Sequence, residues 1–158
     1  APSDRSSSAS RSAPDMYTEH LQNVRLSWVL SGWLVAAALA SLLLLALAGL
    51  GLTGSDVRTD LLWAAAVLGV AFWAGGFFIA FRAIEAPILH GIGIGLTSLV
   101  AWFLLNLLVE LFFGLPDWAR LNPTIAAALL LEQMAAAVAG AWVGHRIALR
   151  GGTELTEE

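Results

Sequence analysis

The chain has 158 residues, of which 58% are apolar and only 13% are charged. A soluble domain of this size cannot bury so much apolar surface in one core, so the composition predicts a protein that spans a membrane. The absence of cysteine excludes disulfides and thiolate chemistry, and a net charge of −4 without a basic cluster argues against nucleic-acid binding.

The chain begins with a polar segment, residues 1–25. Residues 1–14 are mainly Ser, Ala, Pro and Arg, a composition that does not support a packed structure. From Pro14 the spacing of apolar residues predicts an amphipathic helix, which either lies on the membrane surface or extends the first span into water. We expect this segment, and the short tail 151–158, to lie on the cytoplasmic side.

Residues 26–150 contain four long apolar runs, which predict an all-α bundle of four transmembrane helices. The first run, from about Leu26 to Leu50, is lipid-like throughout. The other three spans are predicted at Thr59 or Asp60 to Arg82, at Pro87 to Phe113, and from an Asn122-Pro123 cap to about Leu149. The connections are short, so the chain has no soluble domain to host catalysis, and we expect a protein that is not an enzyme.

Arginine placement predicts the orientation of the bundle. Two arginines fall on the side of the first and third loops, Arg58 and Arg120. The other six fall on the side shared by both termini: Arg5, Arg11, Arg25, Arg82, Arg146 and Arg150. Because basic residues are enriched in cytoplasmic segments, we expect both termini inside, in the cytoplasmic (inner) membrane of a bacterium. Arg82, Arg146 and Arg150 would then anchor the cytoplasmic helix ends.

The second and fourth spans end alike. The segment Gly76 to Arg82 aligns with Gly140 to Arg146 at an offset of 64 residues, and both read Gly, any, aromatic, β-branched, small, any, Arg. An even number of spans separates the copies, so the pattern indicates two hairpins related by an axis along the membrane normal. The alternative is that small residues and a terminal Arg recur by chance in membrane helices.

The same ending resembles that of small, mostly uncharacterised four-helix bacterial membrane proteins. In those proteins a helix closes with Gly-Gly-aromatic-x-small-x-Arg and the next span opens with His-Gly. Here the matching residues are Gly75-Gly76-Phe77 to Arg82, followed by His90-Gly91. The resemblance implies a four-helix membrane protein and no known activity.

Small residues on the third and fourth spans are predicted to pack against other helices or against partner subunits. On the third span, the small and polar face consists of Gly91, Gly95, Ser98, Trp102 and Asn106. On the fourth span, every fourth residue is small except one: Ala128, Glu132, Ala136, Gly140 and Gly144.

Glu132 is the residue whose position in the membrane is most unfavourable. A charged side chain near the bilayer centre costs about 3 kcal/mol on insertion scales, so Glu132 is expected to face protein and to find a partner. Asn106, at similar depth, and the adjacent Gln133 are candidates. Glu132 is interpreted either as a hydrogen-bonded residue that fixes helix register or as the proton- or cation-binding group of a transporter. Glu110, a turn from its helix end, is expected to reach interfacial water.

Two histidines, His90 and His145, lie near the cytoplasmic ends of the third and fourth spans. Equal depth on two helices is what axial ligation of a haem would need, and a (bacterio)chlorophyll is the other pigment considered. The alternative is two interfacial histidines without a ligand. No cofactor is required by the sequence, and no cluster of side chains has metal-ligand spacing.

Three functions remain open at this point. The first is a non-catalytic subunit that packs against other transmembrane subunits and stabilises a larger complex, such as a photosynthetic or respiratory one. The second is a small proton-coupled transporter that uses Glu132 and works as a dimer. The third is a haem or chlorophyll carrier that uses His90.

Overall fold

A computed structural model describes residues 26–54, 56–82, 86–113 and 122–153. This part of the chain contains four helices and no strand. The helices are α1 (Leu26–Gly49), α2 (Val57–Arg82), α3 (Pro87–Phe113) and α4 (Pro123–Thr153). Each is long and apolar enough to cross a membrane. The predicted all-α, four-span fold is therefore confirmed, whereas the predictions for residues 1–25 and 154–158 lie outside the described residues.

Helix α2 begins earlier than the predicted Thr59 or Asp60. Asp56 precedes the helix, and its Oδ2 accepts a hydrogen bond from the backbone N–H of Thr59 at 3.3 Å. This is an N-cap interaction, which allows the helix to start at Val57. Asp60 instead accepts a hydrogen bond from the backbone N–H of Gly54 at 2.8 Å and so ties the α1–α2 connection to the helix.

The predicted cap and span of α4 agree with the structure. The side chain of Asn122 accepts a hydrogen bond from the backbone N–H of Thr124 at 2.9 Å, as expected of an N-cap. The segment able to span a membrane ends at Arg150, close to the predicted Leu149, and the helix itself continues to Thr153. A glycine permits a helix end but does not impose one, because it also adopts ordinary helical dihedral angles.

Helices α2 and α4 share the most extensive contact of the bundle, and we call them the central pair for this reason. Helix α1 packs on α2 and α3, and α3 packs on α4 and α1, whereas α1 and α4 do not meet in the described part of the chain. The helices thus form a closed ring in the order α1, α2, α4, α3. The buried core draws on all four helices and contains Val29, Ala36, Phe72, Ile79, Ile94 and Ala137.

Helix α1 buries one face in the bundle, although its composition is lipid-like throughout. Val29, Gly32, Ala36 and Ala40 are buried. A Cβ on Gly75 of α2 would lie 2.7 Å from the carbonyl oxygen of Gly32 and 2.9 Å from the Cβ of Ala36, so the two backbones are in close contact. Small side chains three or four residues apart form a flat stripe that permits this approach.

The repeated segments of α2 and α4 meet in equivalent ways. A Cβ on Gly76 would clash with the backbone carbonyl of Ala137, and a Cβ on Gly140 would clash with that of Trp73. The 64-residue offset relates the two contacts, because Gly76 corresponds to Gly140 and Ala137 corresponds to Trp73. The same offset relates Gly144 to Ala80, and these two residues face each other: a Cβ on Gly144 would lie 2.8 Å from the Cβ of Ala80. The two helices therefore cross with local two-fold geometry.

The helix ends extend this equivalence to the arginines. The guanidinium carbon of Arg82 lies 5.8 Å from the ring centroid of Phe78, and that of Arg146 lies 4.0 Å from the ring centroid of Trp142. Each arginine thus covers the aromatic residue four positions earlier, at matching places in the repeat. A cation over an aromatic face is favourable, most of all at Trp.

Candidate functional site

An open cleft of about 500 Å³ lies between α2 and α4, on one side of the pair. We call it the α2–α4 cleft; its lining residues are Gly69, Val70, Trp73, Glu132, Ala135, Ala136 and Ala139. None of these residues comes from α1 or α3, which contact each other on the pair's other side. The ring of helices therefore leaves this side of the central pair uncovered.

Glu132 is the only ionisable residue among those that line the cleft. Its Oε1 lies 3.0 Å from the position that a Cβ on Gly69 would occupy, so the carboxyl group lies against the α2 backbone. Within residues 26–54, 56–82, 86–113 and 122–153, the Glu132 carboxyl forms no hydrogen bond or ion pair. A carboxyl group at this depth, about 14 Å along the helix from Pro123, therefore lacks a compensating interaction from its own bundle.

The partners expected for Glu132 are occupied or lie elsewhere. The Asn106 side chain donates a hydrogen bond to the backbone carbonyl of Trp102 on its own helix, at 2.7 Å. Gln133 is buried and lines a different cavity, among residues of all four helices. Successive residues of a helix are about 100° apart, which turns Gln133 away from the side that Glu132 occupies.

The every-fourth-residue row of α4 does not serve one contact. Gly140 and Gly144 are buried against α2, next to Trp73, Phe77 and Ala80. Ala136 is half-buried and lines the cleft, and Ala128 is exposed. Because four residues rotate about 40° more than one full turn of 3.6 residues, the row drifts around the helix. The C-terminal half of the row is covered by this chain, and its N-terminal half is not.

The small face of α3 is divided between two neighbours. A Cβ on Gly91 would lie 2.8 Å from the Cα of Val138, and a Cβ on Gly95 would lie 2.5 Å from the Cβ of Met134, so both glycines face α4. Ser98 instead accepts a hydrogen bond from the Nε1 of Trp33 on α1, at 3.0 Å. The glycines permit close packing with α4, and Ser98 links α3 to α1.

His90 is almost wholly buried, with 1% of its surface exposed. Its Nδ1 lies 3.0 Å from the carbonyl oxygen of Ala86 and donates to it, since a carbonyl can only accept. Its other ring nitrogen, Nε2, is buried and without a partner among the described residues. Ala86 has a φ of 53°, a left-handed conformation that is unfavourable for a residue with a Cβ.

His145 also has a buried ring nitrogen, Nδ1, without a partner in the part of the chain described. Its helix and that of His90 are in backbone contact at Gly91 and Val138, one residue from His90. The closest approach of α3 and α4 on this side therefore lies next to His90. Arg146 is exposed over Trp142, Arg82 is exposed over Phe78, and Arg150 is exposed in the last turn of α4.

Two features of the structure were not among the predicted site residues. One is Gly69, against which Glu132 lies, and the other is the cavity that Gln133 lines. The role of Gly69 and the position of the cavity both follow from which helices are neighbours. The stripe of Gly32, Ala36 and Ala40 was a usable signal for α1, because these residues recur at the spacing of one helix face. No three His, Asp or Glu side chains among the described residues are grouped to hold a metal ion.

The fold and the cleft together define a multi-pass membrane protein with a four-helix bundle. No protein-family model, no curated protein and no solved structure that we compared with the chain matches it.

Proposed function

We propose that this chain is a non-catalytic transmembrane subunit that packs against, and stabilises, a larger complex in the bacterial cytoplasmic membrane. The observation that carries this proposal is the state of Glu132, a half-buried carboxyl group without a partner in the described part of its own chain. Such a group in the membrane is unfavourable unless a donor reaches it. A helix of another subunit, lying in the α2–α4 cleft, supplies that donor.

The shape of the cleft supports a helix as the occupant. Four of its lining residues are Gly or Ala: Gly69, Ala135, Ala136 and Ala139. Small side chains let a second helix backbone approach closely, which is the basis of most contacts between transmembrane helices. The partner we expect is therefore an apolar transmembrane helix that carries one hydrogen-bond donor at the depth of Glu132.

The test is to add an affinity tag to the full chain and to purify it from its native host in a mild detergent. We expect other membrane subunits to co-purify with the wild-type chain and to be lost from Glu132→Leu, which removes the acceptor. Ala139→Leu should have the same effect, because it fills the cleft at an exposed position without entering the core.

Glu110→Gln is the matched control, since it neutralises an exposed carboxylate near the end of α3 that does not line the cleft. It should leave the co-purifying chains unchanged. A wild-type chain that purifies alone at native expression would overturn the proposal. Retention of the partner subunits by both Glu132→Leu and Ala139→Leu would also overturn it.

A second candidate is a small proton-coupled transporter that works as a dimer, with two copies of the chain joined at the α2–α4 cleft. It is favoured by the same unpartnered carboxyl group, which would bind and release a proton or cation during transport. In proteoliposomes, Glu132→Gln should then abolish flux while Glu110→Gln retains it. Equal flux in wild type and Glu132→Gln would exclude this function.

A further inference from the structure

A second cavity, of about 360 Å³, lies on the covered side of the α2–α4 pair. We call it the central cavity, because all four helices contribute to it. Its lining residues are Trp33, Ala37, Ala40, Leu68, Phe72, Ser98, Ala101, Trp102, Leu105, Leu130 and Gln133. The volume falls within the range of about 300–1,000 Å³ that is usual for small-molecule sites.

Two polar side chains of the central cavity are more than nine-tenths buried. Gln133 has 9% of its surface exposed and Ser98 has 5%. The amide of Gln133 forms no hydrogen bond with any residue that the structure describes. The Oγ of Ser98 accepts from Trp33, but its own hydroxyl hydrogen has no acceptor there. Unpaired polar groups inside a membrane are unfavourable, and an occupant that accepts hydrogen bonds would satisfy the donors of both side chains.

The lining residues of the cavity define the charge and the shape of that occupant. The lining residues include no ionisable side chain, so a charged molecule would lack a counter-ion in a medium of low dielectric constant. Three of the lining side chains, Trp33, Phe72 and Trp102, are aromatic and offer ring faces for stacking. The chemistry that fits is therefore a neutral molecule with a flat ring and acceptor oxygens.

The cavity has a route to the bilayer between α1 and α3. The close contacts between these helices lie in their first halves, where Val29 meets Gly93 and Trp33 bonds to Ser98. Further along, the cavity is lined by Ala37, Ala40 and Ala101, whose side chains are small, and by Leu105, which is 53% exposed. A lipid-soluble molecule can therefore enter sideways from the membrane without crossing water.

We propose that the central cavity binds the ring of a lipid-soluble quinone. The Gln133 amide N–H donates a hydrogen bond to one carbonyl of the quinone, and the Ser98 hydroxyl donates to whichever quinone carbonyl lies within its reach. The aromatic side chains of the lining stack on the ring. The proposal concerns binding only and requires no electron transfer. It is independent of the proposed function, because Glu132 and the α2–α4 cleft lie on the other side of the central pair.

The test is the binding of menadione, a two-ring quinone without a tail, to the full chain in lipid nanodiscs. Quinones quench tryptophan fluorescence on contact, and Trp33 and Trp102 line the cavity, so binding appears as a saturable component above the linear collisional quenching. Gln133→Met keeps the side-chain size but removes both amide donors. The dissociation constant of menadione, obtained from the saturable component, should rise about tenfold, which is the effect of losing one hydrogen bond to the ligand.

A second variant, Ala101→Phe, fills the cavity and should abolish the saturable component. Glu132→Leu is the matched control, since it changes the adjacent residue on the other side of α4 and should leave menadione binding unchanged. The proposal is overturned if quenching of the wild type is linear only, or if Gln133→Met binds menadione as tightly as the wild type. Loss of partner subunits in Glu132→Leu with menadione binding intact separates this site from the proposed docking cleft.

Discussion

Glu132 and Gln133 are neighbours in the chain that serve opposite sides of α4. The carboxyl group lies in a cleft lined by α2 and α4 alone, whereas the amide lies in a cavity that all four helices line. Neither side chain has a hydrogen-bond partner within the described residues. Unpaired polar groups at membrane depth are unfavourable, and the two proposals made above each give one of these side chains a partner.

His90 supplies a prediction at the scale of a single residue. His90→Leu removes a buried, unpartnered Nε2 from the bundle and replaces the ring with an apolar side chain. The lost hydrogen bond to Ala86 is offset by the removal of the unpaired nitrogen, so we expect the free energy of unfolding to change by less than about 1 kcal/mol. Unfolding in mixed micelles by titration with sodium dodecyl sulfate measures this difference.

The same variant tests whether His90 holds a pigment. The wild-type chain purified from its host should show no absorption band between about 400 and 900 nm, the region of haem and chlorophyll absorption. A band that disappears in His90→Leu and persists in His145→Leu would contradict this expectation. It would identify His90 as the axial ligand, with its Nδ1–H held by Ala86 in the manner of many metal-bound histidines.

At the scale of the helix pair, the crossing of α2 and α4 depends on two glycines. Gly76 lies on the carbonyl of Ala137, and Gly140 lies on that of Trp73, so neither position has room for a methyl group. Gly76→Ala and Gly140→Ala should each lower the free energy of unfolding by about 1–3 kcal/mol, because the backbones must separate. The double variant should lose less than the sum, since one substitution already opens the shared interface.

Gly49→Ala, at the end of α1, is the control for both substitutions. A Cβ at Gly49 meets nothing within 4 Å, so the change should be neutral or slightly stabilising. Unequal losses in Gly76→Ala and Gly140→Ala, with one of them neutral, would contradict the equivalence of the two repeat copies.

The repeat also shows how far the sequence alone could lead. Helix number and the Asn122 cap follow from local composition, and the offset of 64 residues is visible in the sequence. The sequence does not show which helices are neighbours, because small residues recur on every span and each stripe of small residues fits several partner helices. Asn106 and Gln133 were candidate partners of Glu132 by depth and adjacency, and neither forms a hydrogen bond with it, because depth and adjacency do not decide which side a helix presents.

At the scale of the whole molecule, one side of the central pair is covered and one is not. The connections between helices are short, and α1 and α3 contact each other as well as the pair. Both outer helices thereby lie over the side that contains Gln133, and the side that contains Glu132 remains open to the bilayer. In the proposed complex, a helix from another subunit would cover this open side of the pair.

The orientation of the bundle is the last prediction. Arg82, Arg146 and Arg150 lie near the ends of α2 and α4, which run parallel and therefore bring these residues to one side of the bundle. Because basic residues are retained in the cytoplasm, alkaline phosphatase fused after Thr53, between α1 and α2, should be active outside the cell. The same enzyme fused at the C-terminus should be inactive, and green fluorescent protein fused there should fluoresce. The reverse pattern of activities would contradict the cytoplasmic assignment of the termini.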